Sequence, residues 1–364
     1  MAGGALLRLL LALLLAAGAV AAWQWIDYQR FAETPMTGVQ PDASLVVARG
    51  DSLDKVLGTL QAQGIDTGDR MRWQLLARQL GAAGRLQAGE YALSSQGTPA
   101  ALLLAMRDGK VVRRMFTIVE GWNIRDLRAA LKKAPLLEQE TAALDDAALM
   151  KALGHEGQHP EGRFLPETYA WVRGDSDIDI LRRAHEAMAK ALDEAWASRA
   201  DGLPLKDKHD ALVLASIVEK ETGIAAERPQ IAGVFVRRLK IGMRLQTDPT
   251  VIYGMGAAYT GNIRRSDLTT DTPYNTYTRD GLTPTPIAMP GKAALQAATH
   301  PADGDTLYFV AVGDGSGRHV FSRNLGEHNA AVGEYLQRYR AQRQAERAQA
   351  AAPSPGTQEQ APAQ

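Results

Sequence analysis

The strongest pattern along the chain is a block. Leu9 to Ala22 consists of Leu and Ala with one Gly and one Val, preceded by Arg8 and followed by Trp23, Trp25 and Tyr28. Counted from Gly3 to Ile26, the run reaches about the twenty residues that a membrane-spanning helix needs. Arg8 can snorkel to one surface, and the aromatic residues suit an interfacial belt at the other. Residues 1–30 are therefore read as a short leading end and a single-pass anchor. The competing reading is a cleaved signal peptide, for which Ala19-Val20-Ala21 offers a small-x-small site. On either reading, the remainder of the chain is exported.

Beyond the block the pattern breaks into short elements of both periods. Leu45 to Ala48 reads as a strand, and Gly50-Asp51-Ser52-Leu53 turns into an amphipathic helix. A second helix covers Arg70 to Leu80, Gly89 to Leu93 is a strand, and Thr98-Pro99 opens a helix to about Asp108. These make a small α+β module over 43–110, with the domain change near Lys110. Val111 to Val119 alternates like a strand, and Ile124 to Leu153 is helix-rich but broken by Pro135. Near the other end, Thr306 to Val312 and His319 to Ser322 form a hairpin about Gly313-Asp314-Gly315-Ser316-Gly317. A helix from Leu325 to Ala348 closes a larger mixed domain over 111–348. The Pro, Gln, Ser and Ala of 349–364 predict a disordered tail. The fold class expected is α+β.

Composition narrows the function. Lys plus Arg and Asp plus Glu both number 41, so no basic excess exists to hold a phosphate backbone, and nucleic acid is not an expected partner. The absence of cysteine excludes disulfides and thiolate metal sites. No Gly-rich phosphate loop follows a strand, so no cofactor is expected.

Candidate chemistry centres on Ala211 to Gly223, a helix apolar around most of its axis, with Asp210 as a candidate N-cap and Gly223 as its stop. Burying such a helix desolvates an acid near its end, raising the carboxyl pKa and keeping a proton available near neutrality. At about 100° per residue, Glu219 shares a face with Leu212 and Ala215, while Glu221 points roughly 200° further round, so the two acids cannot serve one site. The bland alternative is a pair of solvated carboxylates in a last turn. Two loops argue otherwise. Arg244 to Gly254 and Thr272 to Tyr277 are dense in neutral hydrogen-bonding and aromatic side chains, which suit a sugar. No second carboxylate is easy to nominate, since Asp248 precedes Pro249 and can cap a turn, so the usual hydrolytic pair is not evident. One acid suffices if it protonates the glycosidic oxygen and then, as carboxylate, takes a proton from a hydroxyl of the same sugar, closing an anhydro ring. Lytic transglycosylases work in that manner.

Ile217-Val218-Glu219-Lys220-Glu221-Thr222, Arg244 through Gly254, Tyr274-Asn275-Thr276-Tyr277 and His300-Pro301-Ala302 together resemble the motifs of the YceG-like endolytic murein transglycosylases. Glu120-Gly121-Trp122 and Glu161 to Tyr169 also fit, although Arg163 stands where an apolar or aromatic residue is expected. The resemblance runs from the membrane segment to about residue 335. It implies an inner-membrane anchor with a periplasmic catalytic domain, a small LysM-like module, and cleavage of nascent peptidoglycan strands between N-acetylmuramic acid and N-acetylglucosamine with 1,6-anhydro ends. It places the catalytic acid at Glu219. Gln246, Asp248, Tyr253, Asn275 and Tyr277 are the expected substrate contacts, and peptidoglycan synthases are candidate partners. The similarity of Gly50-Asp51-Ser52-Leu53 to a LysM opening turn leaves open whether the module binds glycan.

Two other classes compete. A wall-binding scaffold would hold glycan without cutting it. His155-Glu156-Gly157-Gln158-His159 matches the H-E-x-x-H pattern of zinc proteases, but that chemistry needs both histidines on one stable helix, against Gly157 and Pro160. No metal site is expected. His300 and His328 read as turn or cap residues.

Overall fold

The computed structural model describes residues 2–351. The fold is mixed α+β, and the chain divides into two compact units: one of 1–116 with 135–138 and 170–176, the other of 117–134, 139–169 and 177 onward. The chain thus passes between the units more than once.

The first unit begins with helix α1 (Ala2–Glu33), followed by β1 (Ser44–Val47), α2 (Leu53–Ala62), α3 (Arg70–Gln79), β2 (Gly89–Ala92), α4 (Pro99–Asp108) and the start of β3 (Arg114–Thr117). β1 and β2 pair antiparallel, Ser44 opposite Ala92 and Val47 opposite Gly89. Local chemistry places the helices. Ser52 caps α2 by accepting from the Lys55 amide, Asp69 caps α3 through the Met71 amide, and Thr98 caps α4 with Pro99 in its first turn. Their apolar faces meet in a core of Leu45, Leu60, Trp73, Tyr91, Leu103 and Met106, which Tyr28 and Ala32 of α1 join. Buried Glu90 stays ionised there. Arg114 at 2.7 Å holds its carboxyl down at about 2, helped by Ser44 and Arg173 and opposed by burial.

α1 is the one helix among the described residues that is long and apolar enough, by length and composition, to cross a membrane. It has the properties of an anchor or of a signal segment.

The second unit contains α5 (Ile124–Lys132), α6 (Asp146–Ala152), α7 (Asp177–Ala197), α8 (Lys208–Glu221), α9 (Arg228–Lys240), α10 (Asp248–Met255), α11 (Arg265–Thr269) and α12 (Lys292–Thr299). The hairpin of β5 (Tyr308–Ala311) and β6 (His319–Ser322) and the helix α13 (Leu325–Ala351) complete it, while β4 (Thr168–Trp171) straddles the two units. α8 is its centre: Ala211 through Val218 are wholly buried against α7, α9 and α12, with Met188, Leu192, Phe235, Leu295 and Ala298 among the partners. A helix apolar all round has no other stable place. Its one internal polar side chain is satisfied twice, Ser216 donating to the Val213 carbonyl at 2.7 Å and accepting from the Ile287 amide at 3.0 Å.

Several expectations shift. Asp207, not Asp210, caps α8, because its side chain accepts from the Asp210 amide and starts the helix one turn earlier. Residues 244–254 are not all loop: Pro249, whose missing N–H is harmless in a first turn, opens α10 at Asp248. The strand expected over Val111 to Val119 shrinks to Arg114–Thr117. α13 reaches Ala351, past the expected start of the tail at 349, and the remainder of that tail lies outside the described residues.

Candidate active site

Glu219 occupies the last turn of α8, and its side chain is 5% exposed. Packing of the helix sets the depth, and three further elements supply the surroundings. One carboxyl oxygen accepts from the Gly291 amide at 2.9 Å, at the N-terminal edge of α12. The other lies 3.4 Å from Nη2 of Arg228, the first residue of α9. That same nitrogen is 3.5 Å from the carboxylate of Glu120, which is 47% exposed. Burial pushes the Glu219 carboxyl above its ordinary range and the neighbouring Glu120 adds to this, while the Gly291 amide and Arg228 pull the other way; the net direction is upward. The site therefore holds an acid that gives up its proton less readily than a free carboxyl, beside a cation that can receive the anion once the proton leaves.

Backbone pairing brings Glu120 there. Gly121 donates to the Met289 carbonyl at 3.0 Å, Met289 donates back to Trp122 at 2.7 Å, and Lys220 donates to the Gly121 carbonyl at 3.1 Å. Gly291 permits the approach, since a Cβ on it would stand 2.0 Å from Oε1 of Glu120. Arg228 is almost fully buried, and its Nε has no hydrogen-bond partner among the described residues.

Glu221 faces elsewhere. It accepts from the Thr247 hydroxyl and lines an open cavity of about 430 Å³ with Arg238, Gln246, Asp248, Tyr277 and Tyr308. Burial raises its carboxyl to about 7, against the Thr247 hydrogen bond. Gln246 is exposed with a φ of +48°, an uncommon conformation for a side-chain-bearing residue, and Tyr277 donates to Asp248 at 2.6 Å. Three of the five expected substrate contacts, Gln246, Asp248 and Tyr277, thus gather at the Glu221 cavity rather than among the groups that touch Glu219. The other two, Asn275 and Tyr253, bond within the protein. Asn275 is 1% exposed, donates to the carbonyls of Asp267, Leu268 and Thr270, and accepts from the Tyr277 amide at 2.9 Å, locking its own loop. Tyr253 donates to Glu161 at 3.0 Å and packs edge-on against Tyr274.

Glu161 is a further acid, with no role evident from the sequence. It is wholly buried, accepts from the Ile124 amide at the start of α5 at 3.2 Å, and burial raises its carboxyl to about 7. The roles of Glu120, Arg228 and Gly291 are likewise not evident from the sequence. Glu120 and Glu161 stand at the head of motifs already noted, which was the available signal; Arg228 and Gly291 had none.

The H-E-x-x-H stretch is not helical. Gly154 and Gly157 sit at φ of +83° and +85°, the His155 ring stacks on His185 at 3.9 Å, and His159 accepts from the Glu161 amide, so the two histidines lack the one-turn helical spacing that the zinc motif requires.

Comparison with known proteins adds independent findings. A family model described as the YceG-like family matches residues 45–334. The chain is 32% identical over 310 residues to an endolytic murein transglycosylase of Bacillus subtilis (strain 168), covering 80% of this chain and 84% of that protein. It is 28% identical over 215 residues to an endolytic murein transglycosylase of Streptococcus pneumoniae serotype 2, covering 57% of this chain and 36% of that longer one. A crystal structure of a protein described as yceG-like, from Listeria monocytogenes, aligns with 80% of this chain and 99% of its own at 28% identity and a TM-score of 0.48.

Proposed function

The chain belongs to the YceG-like family, and on that premise we propose that it is a lytic transglycosylase that cuts peptidoglycan glycan strands at internal positions, with Glu219 as its acid. The observation that carries the assignment is Glu219 itself: an acid 5% exposed, on a helix buried all round, with its pKa raised and with a backbone amide and a guanidinium ready for the anion. In the first step Glu219 gives its proton to the glycosidic oxygen between N-acetylmuramic acid and N-acetylglucosamine, and that C–O bond breaks. In the second, the resulting carboxylate takes the proton of the muramic acid's own 6-hydroxyl, whose oxygen bonds to the anomeric carbon and closes a 1,6-anhydro ring. Glu219 ends as it began, and no water is consumed. Arg228 and the Gly291 amide stabilise the carboxylate between the steps.

The glycan would cross the C-terminal end of α8. Gln246, Asp248 and Tyr277 would hold a sugar in the Glu221 cavity, with Asn275 and Tyr253 shaping the loops from behind. In the first unit, the β1-α2-α3-β2 order with Gly50-Asp51-Ser52-Leu53 at the strand-to-helix turn supports a LysM-like module. α1 would anchor the protein in the inner membrane with both units in the periplasm, beside the peptidoglycan synthases whose strands it shortens.

Mass spectrometry of cleaved, uncrosslinked strands tests this. Anhydro ends that vanish with Glu219→Gln are expected. A second reading has a specific observation behind it: Glu120, held by the same guanidinium, is placed to be the base of a water-using hydrolase. Reducing ends dependent on both Glu120 and Glu219 would establish that reading instead, and binding without cleavage would establish a scaffold.

A further inference from the structure

The first unit exposes an apolar face beside the end of its long helix. α1 is bare from Leu7 to Ile26, and burial begins at Tyr28, which packs into the unit's core. At 1.5 Å per residue that bare stretch is about 30 Å long, the thickness of a bilayer's hydrocarbon layer. The unit therefore starts where a spanned bilayer ends, with no spacer between. The junction is stiff: Asp27 pairs with Arg72 at 2.6 Å, Tyr28 donates to Gln79 at 2.5 Å, and Phe31 meets Trp73 edge-on. These contacts lay α3 alongside the Asp27 to Phe31 stretch of α1, about one turn beyond Trp23 and Trp25.

On α3, Met71 and Leu75 stand one turn apart on one face, 73% and 54% exposed. With Trp23, Trp25 and Tyr28 they line a groove of about 470 Å³ between the two helices. An exposed patch of large apolar side chains continuous with a membrane-spanning surface has one natural occupant, the lipid that already surrounds the span.

We infer that the first unit is seated on the bilayer, with Met71 and Leu75 dipping into the interfacial layer beside Trp23 and Trp25 and lipid filling the groove. Arg78, exposed one turn beyond Leu75, meets the headgroups. The unit is then held against the membrane surface at a set height and orientation instead of swinging on a stalk. This rests on reading α1 as an anchor that is kept.

The chain has no cysteine, so single substitutions can be labelled at one place each. Met71→Cys, Leu75→Cys and Leu14→Cys, each carrying an environment-sensitive fluorophore, are placed as full-length protein in phosphatidylcholine–phosphatidylglycerol vesicles. Quenching by iodide in the water is compared with quenching by lipids spin-labelled at shallow and deep acyl positions. The label at 14 should be quenched by the deep lipid. Labels at 71 and 75 should be quenched at least twofold more by the shallow lipid than by the deep one, with little effect of iodide. A deep label at 14 with iodide-accessible labels at 71 and 75 overturns the seating while leaving the anchor intact. Loss of the deep signal at 14, with an intact mass showing residues before Trp23 missing, overturns both. Disulfide-linked dimers of the unlabelled Met71→Cys variant, with neither quencher effective on its labelled form, overturn it in favour of a second copy of the chain.

Discussion

Replacing Glu161 by Gln isolates the cost of burying one carboxyl. The group is wholly enclosed, and its pKa rises from 4.5 to about 7, chiefly by desolvation. A pKa raised in the folded state means that the native protein holds the proton more tightly than the unfolded chain. The stabilising contribution is therefore complete below about 4.5 and is lost as pH rises through about 7. At about 1.4 kcal/mol for each pH unit, the loss amounts to about 3 kcal/mol. Gln resembles the protonated acid in shape, can still accept from the Ile124 amide, and does not titrate. Wild type and variant should accordingly match at pH 4.5, and the variant should become the more stable by about 3 kcal/mol at pH 8. Glu221 titrates in the same range but is common to both proteins and cancels in the difference. Urea-dependent hydrogen exchange of the buried α8 amides measures the unfolding of this unit alone, so the anchor does not interfere. A difference that stays flat with pH, or that favours wild type at pH 8, would refute the reasoning.

Glu219→Gln should lower strand cutting by about 100-fold or more without changing the fold, as judged by released ends and by circular dichroism. In the wild type, activity should fall on the alkaline side as Glu219 loses its proton above the ordinary carboxylate range. Arg228→Met removes a cation that favours the Glu219 anion, so the alkaline limb of the pH–rate profile should move to higher pH while kcat drops; an unmoved limb would separate Arg228 from the acid. Gly162→Ala should destabilise by more than about 1 kcal/mol in a thermal melt, because a Cβ there meets Pro286 at 2.5 Å on a backbone at φ +76°. Chelators and His155→Ala should leave cutting unchanged; inhibition by either would revive the metal reading.

Local chemistry and periodicity were legible along the chain. The apolar block of α1, the all-round apolar α8 with Glu219 in its last turn, the helix starts after Gly50-Asp51-Ser52 and at Thr98-Pro99, and the hairpin glycines each depend on neighbours a few residues away, so sequence alone places them. The separation of Glu219 from Glu221 followed from helical geometry for the same reason. α7, α9 and α12 are not legible in the sequence, being mixed amphipathic stretches whose apolar faces matter only once α8 lies between them. An amide and a phenol serve a ligand or a loop equally well, so the sequence does not tell that Asn275 is buried with its amide bonded to loop carbonyls or that Tyr253 donates to Glu161. The surroundings of Glu219 belong wholly to the tertiary structure. Glu120 shares the Arg228 guanidinium with it across 108 residues of chain, and Gly291 reaches its carboxyl across 72. Sequence states which acid is buried by its own helix; which amide and cation meet it depends on the packing of elements remote along the chain, and that packing sets both its proton affinity and where its charge goes.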